Sequence, residues 1–418
     1  MQEKLRYLPN LRYIENENKV IMVNRNNGQW LRISKECFGI LNSAVEKQLS
    51  IQELLDCLAD DEDRKYFREL LDNVKALGVL YDNDTNELGI KTVYLILTNR
   101  CNLKCIHCCV SAKSNYDEIS KQEMNTQELF EAIDKIVACH PTNIILTGGE
   151  PMLRKDFMVI LKYLRNVYDG EISLATNAMY INEHNVHSLI KNIDRIDIII
   201  DGVDEESCSV VRGKGVFNKV IKAVRLIKNA GFDAISLSMV FGDYNEGLED
   251  KFKKMNNDLG TIPVSRIFVP TGRGKENSQI FIDEKKRLPS ISYTKEEIES
   301  KRNSITAIKC GAGFTEFVLN YDGYVYPCAN LINSSYRRTN IKKINSLDEL
   351  LQQKYQKSSS RNALEQIQPE NFKECKTCKV NLFCWQCLQE IEVLKNNPEK
   401  FNFRCKHKKG LLYSILWE

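Results

Sequence analysis

The sequence predicts an α/β fold built around a partial, open (β/α)6 barrel. Between residues 91 and 275, six short apolar runs alternate with amphipathic helical stretches. The runs are TVYLILT, NIILTGG, EISLATN, IDIIID, AISLSMV and RIFVPTG, and the helical stretches include 127–139, 156–168, 216–230 and 247–258. Runs of β-branched residues that alternate with helices indicate a parallel sheet covered by helices. Six units are too few to close an eight-stranded barrel, so we expect the barrel to stay open.

Length and composition limit the class of protein. The 418 residues predict two to three domains, and 43% hydrophobic with 28% charged residues is ordinary for a globular chain. The net charge of +3 does not by itself indicate a nucleic acid or a membrane as partner. No apolar run approaches the ~18 residues of a membrane-spanning helix. The N-terminal MQEKLRYLPN lacks the apolar segment of a secretory signal, so a cytoplasmic location is expected.

Residues 1–88 are expected to form a small winged-helix domain. KVIMVNRNNGQWLRIS predicts two strands around an Asn-Asn-Gly turn. Helices are expected near Ser34, from Ser50 with a capping box to Glu53, and from about Asp63 to Gly78. The segment has 12 basic and 16 acidic residues, a balance of −4, so it lacks the charge needed to bind nucleic acid. A peptide added as an extra strand suits it better.

The 15 cysteines are the unusual feature of the composition. In a reducing cytoplasm, clustered cysteines indicate metal or iron–sulfur ligation rather than disulfides. Cys101, Cys105 and Cys108 follow the first barrel strand with the spacing C-x3-C-x2-C. Three thiolates on a 4Fe–4S cluster leave one iron without a protein ligand, so a small molecule can bind there.

A second set of cysteines occupies residues 305–418, which we expect to form a C-terminal domain. The pattern is Cys310-x12-Gly323-x4-Cys328, then Cys375-x2-Cys378-x5-Cys384-x2-Cys387, then Cys405. C-x2-C pairs are also the usual zinc pattern, so these residues alone leave zinc and iron–sulfur ligation about equally open.

The three-cysteine motif after the first strand of a partial barrel resembles the radical S-adenosylmethionine (SAM) superfamily. The resemblance implies that the open iron binds SAM, whose reductive cleavage gives a 5′-deoxyadenosyl radical that abstracts hydrogen from a substrate. Cys109 is expected to pack rather than ligate. For His107, a position near the adenine and a solvent-facing loop remain equally open. The resemblance further implies SAM contacts from the strand ends, at Gly148, Gly149, Glu150, Asn177, Asp201 and Arg212.

The second cysteine set resembles the SPASM extension of radical SAM enzymes. The resemblance implies two auxiliary 4Fe–4S clusters, and therefore three clusters in total. One would be held by Cys375, Cys378, Cys384 and Cys405, and the other by Cys310, Cys328 and Cys387. The spacing from Cys384 to Cys387 has two intervening residues where three are common. The cluster at Cys310 is one ligand short.

WLRIS followed by helices resembles a RiPP recognition element, the module that holds the leader of a ribosomally made precursor peptide. Together the resemblances imply a maturase that cross-links such a peptide, with a Cys thioether favoured. Carbon–carbon cross-linking, formylglycine formation of the anaerobic sulfatase-maturating type and a zinc-containing winged-helix regulator remain alternatives. A reductase, flavodoxin or ferredoxin would supply electrons. Arg273 lies in a Gly-rich segment that either lines the site or forms a turn, and the proton acceptor is not identified.

Overall fold

A computed structural model describes residues 4–81, 89–113, 122–281, 295–352, 355 and 357–418. The end of the predicted N-terminal domain (82–88) and part of the predicted connection after the barrel (282–294) lie outside these residues. The chain divides into two compact units. The terminal unit comprises Met1–Leu88, Leu288–Gly311 and Ala363–Glu418, and the barrel unit comprises Gly89–Arg287 and Ala312–Asn362.

The elements follow one another in chain order. The strands are Leu11–Asn16 (β1), Lys19–Asn24 (β2), Trp30–Ser34 (β3), Thr92–Thr98 (β4), Asn143–Gly148 (β5), Glu171–Thr176 (β6), Arg195–Ile199 (β7), Ile235–Phe241 (β8), Ile262–Ile267 (β9), Glu316–Leu319 (β10) and Val325–Tyr326 (β11). The first helices are Lys35–Glu46 (α1), Ile51–Asp56 (α2), Asp61–Ala76 (α3), Thr126–Val137 (α4), Phe157–Val167 (α5), Val186–Ile190 (α6), Glu205–Arg212 (α7), Val216–Asn229 (α8) and Glu249–Leu259 (α9). The later helices are Arg273–Glu276 (α10), Ser278–Phe281 (α11), Lys295–Ser304 (α12), Ser359–Gln366 (α13), Asn381–Cys384 (α14), Leu388–Leu394 (α15) and Pro398–Trp417 (α16).

The terminal unit is built around a three-stranded antiparallel sheet in the order β1-β2-β3. β2 is buried on both faces because its side chains alternate between two cores. Val20 and Met22 pack with α1–α3, whereas Ile21 and Val23 pack with C-terminal residues that include Trp417. The sheet is therefore covered on one face by its own helices and on the other by the end of the chain.

Polar contacts fasten the same sheet to the C-terminal residues. The Trp30 indole donates to the Ile305 carbonyl at 3.0 Å, and Arg32 Nη1 donates to the Leu416 carbonyl at 2.7 Å. Because each bond joins residues far apart in sequence, none of them could be predicted from spacing.

The starts of the first two helices are confirmed. The Ser34 hydroxyl accepts from the Cys37 amide at 3.0 Å and caps α1. At α2, the Glu53 amide donates to the Ser50 hydroxyl at 3.2 Å, and the Ser50 amide donates to the Glu53 carboxylate at 2.6 Å. These reciprocal bonds satisfy amides that have no partner inside the helix.

The barrel unit contains one eight-stranded sheet in the order β11-β10-β4-β5-β6-β7-β8-β9. Strands β4 to β9 are parallel and neighbour one another in sequence order. This confirms the predicted parallel α/β sheet of a partial barrel. Strands β10 and β11 were not predicted from the sequence, and they extend the sheet beside β4. Tyr-Asp-Gly between two apolar runs is a hairpin signal that could have found them.

The predicted position of the sixth strand was wrong. The run RIFVPTG covers residues 266–272, but β9 is Ile262–Ile267. β9 lies at the edge of the sheet and contains Pro263, which a central strand would not tolerate because proline has no amide hydrogen to donate. Phe268 follows the strand and stacks on Phe281 with ring centroids 4.3 Å apart.

The face of the sheet away from the covering helices carries polar groups. Val93 and Leu95 belong to the core under the helices, so Tyr94 between them points to the opposite face. Asp197 on β7 accepts from the Ser236 hydroxyl at 3.0 Å and pairs with Arg266. Glu316 on β10 lies opposite Thr92 of β4 and contributes to the electrostatic environment of Tyr94.

We expect Glu316 to make stability fall with rising pH. Burial raises the pKa of this carboxyl to about 7, so the folded chain holds its proton more tightly than the unfolded chain does. The contribution to stability is present at low pH and is lost as pH rises through about 7. Glu316→Gln should therefore gain about 2–3 kcal/mol over the wild type between about pH 5 and pH 8 in urea unfolding.

The exposed Glu183 provides the control for this prediction. Glu183→Gln should leave the pH dependence of unfolding unchanged. An equal pH slope in the wild type and Glu316→Gln would show that Glu316 ionises in the folded chain as it does in the unfolded one.

Candidate active site

The three predicted cluster cysteines lie together in the loop after β4. Cys101 and Cys105 are buried, and Cys108 is partly buried. The pKa of Cys101 is raised to about 11, chiefly by burial, and the charges of Glu150, Cys105 and Cys108 contribute to the rise. Such electrostatic contributions require short separations, so the fold brings the three thiols to one place.

The surroundings of these sulfurs fit an iron–sulfur cluster. The Leu103 amide donates to Cys101 Sγ at 3.4 Å, and the Ala112 amide donates to Cys108 Sγ at 3.4 Å. Hydrogen bonds to sulfur stabilise cluster thiolates and help to set their potential. Among the residues that the structure describes, no three His, Cys, Asp or Glu side chains are close enough to share a single ion. In a 4Fe–4S cluster each cysteine binds a separate iron.

Gly148 and Gly149 let β5 approach the start of the cysteine loop. A Cβ at Gly148 would lie 2.3 Å from the Thr98 carbonyl oxygen, and a Cβ at Gly149 would lie 2.2 Å from that of Arg100. Gly148 also has a φ of +143°, which favours glycine. The Gly149 and Glu150 amides donate to those two carbonyls, each at 2.8 Å. The glycines therefore support the loop, and their contact with SAM remains a prediction.

Gly149→Ala is expected to disturb the cysteine loop. The new methyl group would meet the backbone oxygen of Arg100, which cannot rotate away, so one of the two strands must shift at a cost of about 1–3 kcal/mol. Iron retained after anaerobic reconstitution should fall together with the unfolding free energy. Gly39→Ala on the exposed face of α1 has no atom within 4 Å of the new Cβ and should retain iron. Equal iron in both variants would contradict the expectation.

Glu150 and Asn177 meet beside Cys101. The fully buried Glu150 carboxylate accepts from the Thr176 hydroxyl at 2.8 Å and from the Asn177 amide at 2.8 Å. Burial raises its pKa, although these hydrogen bonds oppose the rise. Asn177 Nδ2 donates to Asn102 Oδ1 at 2.9 Å and lies 3.8 Å from Cys101 Sγ. The structure therefore brings both residues to the cysteine loop, as their positions at adjacent strand ends predict.

Asp201 at the end of β7 is held by protein groups on both oxygens. Its Oδ1 accepts from the Val240 amide at 2.8 Å, and its Oδ2 lies 2.6 Å from His107 Nε2 and 2.7 Å from Arg212 Nε. Burial alone would raise the pKa of Asp201, but the Arg212 and His107 charges lower it well below its usual range. Asp201 is fully buried, and its bonds hold the His107 and Arg212 side chains in place.

Arg212 is predicted as a SAM contact, and the structure places it beside the cysteine loop. Its side chain is 4% exposed. Burial opposes its charge, but Asp201 and Cys105 stabilise it and raise the pKa of the guanidinium. Arg212 therefore brings a positive charge close to a cluster cysteine.

Two further arginines anchor the loop, and the sequence analysis did not assign them this role. Arg273 after β9 donates through Nε to the Cys105 carbonyl at 3.0 Å and through Nη1 to the Ala112 carbonyl at 2.5 Å. Arg100 forms a buried ion pair with Glu123 at 2.9 Å. The sequence left open whether the Gly-rich segment with Arg273 lines the site or only forms a turn. The contacts of Arg273 with the cysteine loop favour a place at the site. The 168 residues between Arg273 and Cys105 explain why spacing could not show this contact.

Of the six non-glycine residues with positive φ in the described part of the chain, three lie in the cysteine loop or just after barrel strands. Ala178 after β6 has a φ of +61°, Asp201 after β7 has +52°, and Ser111 in the cysteine loop has +49°. Non-glycine residues rarely adopt this conformation, and strain of this kind gathers at functional sites.

Four of the predicted auxiliary ligands converge in the terminal unit. The pKa of Cys375 is raised to about 12, chiefly by burial, and the charges of Cys384, Cys378 and Cys405 contribute to the rise. Arg404 Nη1 donates to Cys384 Sγ at 3.1 Å. The convergence of four thiols, together with a cationic donor, fits the iron–sulfur cluster that the SPASM resemblance implies.

The other three predicted auxiliary ligands are divided between the units. Cys310 and Cys387 belong to the terminal unit and Cys328 to the barrel unit. The Cys310 carbonyl accepts from Arg25 Nε at 3.2 Å, and Cys328 Sγ accepts from the Asn330 amide at 3.4 Å. Their assembly into one cluster remains a prediction.

Comparison with family models identifies the class of both cysteine regions. Residues 95–254 match the Radical SAM superfamily, and residues 310–379 match SPASM, an iron-sulfur cluster-binding domain. The chain therefore contains a radical SAM domain and a SPASM domain, and it is an enzyme, as the sequence predicts. These domains imply SAM and 4Fe–4S clusters as cofactors.

Curated relatives match less than half of the chain. The chain is 31% identical over 183 residues to the mycofactocin maturase MftC of Mycolicibacterium smegmatis, which is 43% of this chain and 45% of that one. It is 25% identical over 189 residues to the GTP 3′,8-cyclase of Psychromonas ingrahamii, which is 45% of this chain and 54% of that one. The chain thus spans about half the length of the relatives that it matches.

Solved structures share the fold at low sequence identity. Streptococcus suis SuiB bound to precursor peptide SuiA has a TM-score of 0.55 and 14% identity, over 93% of this chain and 98% of that chain. Native anSMEcpe with bound AdoMet has a TM-score of 0.55 and 18% identity, over 78% of this chain and 96% of that chain. Within the described residues, no helix combines the length and apolar character needed to cross a membrane.

Proposed function

We propose that the chain is a radical SAM maturase that cross-links a ribosomally synthesised precursor peptide. The proposal rests on how much of the chain matches each of two solved structures, SuiB and anSMEcpe. The likeness to SuiB, whose structure is bound to a precursor peptide, extends over 93% of the chain, whereas the likeness to anSMEcpe extends over 78%. The MftC relatives are also named maturases.

Residues 1–88 would hold the leader of that peptide. β3 is an edge strand of its sheet, so it can accept another strand. Tyr66 on α3 is 51% exposed, and its hydroxyl lies 3.9 Å from Cys37 Sγ just beyond β3. An exposed tyrosine beside an edge strand supports leader binding by strand addition, as in a RiPP recognition element within a winged-helix domain.

Leader binding can be tested on its own with a labelled leader peptide and fluorescence anisotropy. Tyr66→Ala should weaken binding about tenfold, because it removes a large contact beside the edge strand. Tyr13 on β1 is 50% exposed and lies on the other edge strand, so Tyr13→Ala is the matched control. If the wild type, Tyr66→Ala and Tyr13→Ala bound the leader with equal affinity, the leader would have to bind elsewhere.

The residues around the cysteine loop would prepare the chemistry. Cys101, Cys105 and Cys108 would hold the cluster that binds SAM, whose reductive cleavage supplies the hydrogen-abstracting radical. Gly148, Gly149, Glu150, Asn177 and Arg212 would bind or orient SAM, and Asp201 would fix Arg212 and His107. Buried side chains with few alternative rotamers keep such a site dry and oriented.

A Cys thioether is the product that the cysteine count favours. The set Cys310, Cys328 and Cys387 offers three ligands, so a fourth position could be taken by a peptide thiolate. The chain would thus hold three 4Fe–4S clusters. Carbon–carbon cross-linking or formylglycine formation would need no such position. The similarity to anSMEcpe supports a sulfatase-maturating type of reaction as the second candidate.

The decisive experiment measures iron, sulfide and 5′-deoxyadenosine after anaerobic reconstitution, and then the mass of a cysteine-containing precursor peptide. A thioether lowers the peptide mass by two hydrogens and removes a thiol that alkylating reagents can label. Formation of an aldehyde would instead favour the second candidate. Zinc in place of iron, together with no SAM cleavage, would overturn the proposal and favour a zinc-containing regulator.

A further inference from the structure

Two net basic segments adjoin the four converging cysteines of the terminal unit. Segments 373–379 and 400–409 together hold eight lysines and arginines and one acidic residue, Glu374. The whole chain has a net charge of only +3, so the remaining residues are net negative.

The two basic segments meet at the cysteines. Lys373, Lys376 and Lys379 alternate with Cys375 and Cys378 along the first segment, and all three lysines are exposed. Lys406 and Lys409 are exposed and follow Cys405 on α16. Cys405 contributes to the electrostatic environment of Cys375, so the segments lie side by side. Phe372 and Phe401 pack against each other with ring centroids 5.6 Å apart, which fixes this arrangement.

The cysteines also come near the surface at this point. A depression of about 480 Å³ opens beside Cys405, and Lys406, Lys409 and Glu418 are among its lining residues. Cys378 and Cys405 are only partly buried. A redox centre bound here would lie just beneath a positively charged surface.

We propose that this lysine surface, defined by Lys373, Lys376, Lys379, Lys406 and Lys409, is the docking site for an acidic electron-transfer protein. The inference rests on the proposed function, because it needs an iron–sulfur centre at Cys375, Cys378, Cys384 and Cys405. In one encounter the reduced partner loses one electron and that centre gains it, while no covalent bond forms or breaks. Complementary charge steers such short-lived complexes, whose interfaces are small.

The charge and the thiols together favour this partner over nucleic acid. A polyanion would need only the lysines, whereas an electron-transfer partner also needs a redox centre close by. Residues 310–379, which include Cys375 and Cys378, match an iron-sulfur cluster-binding domain. Residues 1–88, in the same unit, have an acidic balance of −4 and so add no net positive charge for a long polyanion.

The test uses the full reconstituted chain and a purified acidic flavodoxin, with affinity measured at low and high salt. The docking variant carries Lys373→Glu, Lys376→Glu, Lys406→Glu and Lys409→Glu. The matched control carries Lys162→Glu, Lys219→Glu, Lys222→Glu and Lys254→Glu, which reverse four exposed lysines on barrel helices. We expect at least tenfold weaker binding and slower cluster reduction for the docking variant only, and weaker binding of the wild type at high salt.

Each other outcome overturns the proposal. Equal loss in both variants would indicate a general charge effect, and salt-independent binding would exclude electrostatic docking. Tighter binding of a DNA duplex than of flavodoxin at the same salt would assign the surface to nucleic acid. If the docking variant loses iron, the four corresponding Lys→Gln changes repeat the test without reversed charge. Dithionite reduces the clusters without a docking protein. Peptide modification by the wild type with dithionite therefore tests the proposed function separately from flavodoxin docking.

Discussion

Cys105→Ala is expected to abolish SAM cleavage while most of the iron remains bound. Cys105 is buried and lies among the three converging thiols of the cysteine loop. A cluster with three protein ligands cannot lose one without exposing a second iron, so it should dissociate on desalting. Of the about twelve irons that the three proposed clusters would hold, about four should be lost. Iron analysis and 5′-deoxyadenosine formation check the two parts of this expectation.

Two variants make this result specific. Cys109 is adjacent in sequence to Cys108 and exposed, and Cys109→Ser should retain all the iron and the cleavage activity. Cys375→Ala should also lose about four irons, from a different cluster, and still cleave SAM. If Cys105→Ala retained full activity, the C-x3-C-x2-C motif would not be the SAM site.

The sequence reveals those parts of the fold that depend on local patterns. Five of the six barrel strands could be located because apolar runs are interrupted at regular intervals by amphipathic helices. The sixth was misplaced because Pro263 breaks the apolar pattern at an edge strand. Strand β10 was missed because it pairs with β4 from more than 200 residues further along the chain, and no local pattern shows such a pairing.

The candidate site divides in the same way. Cysteine spacing and the glycines after β5 are local, so they could be assigned from the sequence. The partners of each side chain are not local: Asp201 meets His107 across 94 residues. Asp201 at the end of a strand is predicted as a cofactor contact; in the structure its oxygens bond to a histidine, an arginine and a backbone amide, and a contact with SAM remains a prediction.

The second large effect is expected from Asp201→Ala. Asp201 is fully buried, and the Arg212 side chain is 4% exposed, so the substitution leaves a buried guanidinium without its carboxylate. Breaking a buried ion pair by removing one partner costs about 3–5 kcal/mol. Urea unfolding should show this loss. Asp197→Ala breaks a pair whose side chains are 22% and 42% exposed, and it should cost no more than about 1 kcal/mol.

A double variant separates the loss of the ion pair from the loss of packing. Asp201→Asn with Arg212→Met removes both charges and keeps similar volumes, so it should recover part of the stability that Asp201→Asn alone loses. If Asp201 also positions the cysteine loop, the electron paramagnetic resonance signal of the SAM-site cluster should change in both variants, because both remove the ion pair between Asp201 and Arg212. The signals of the auxiliary clusters should not change. An unaltered SAM-site signal in a destabilised variant would assign Asp201 to stability alone.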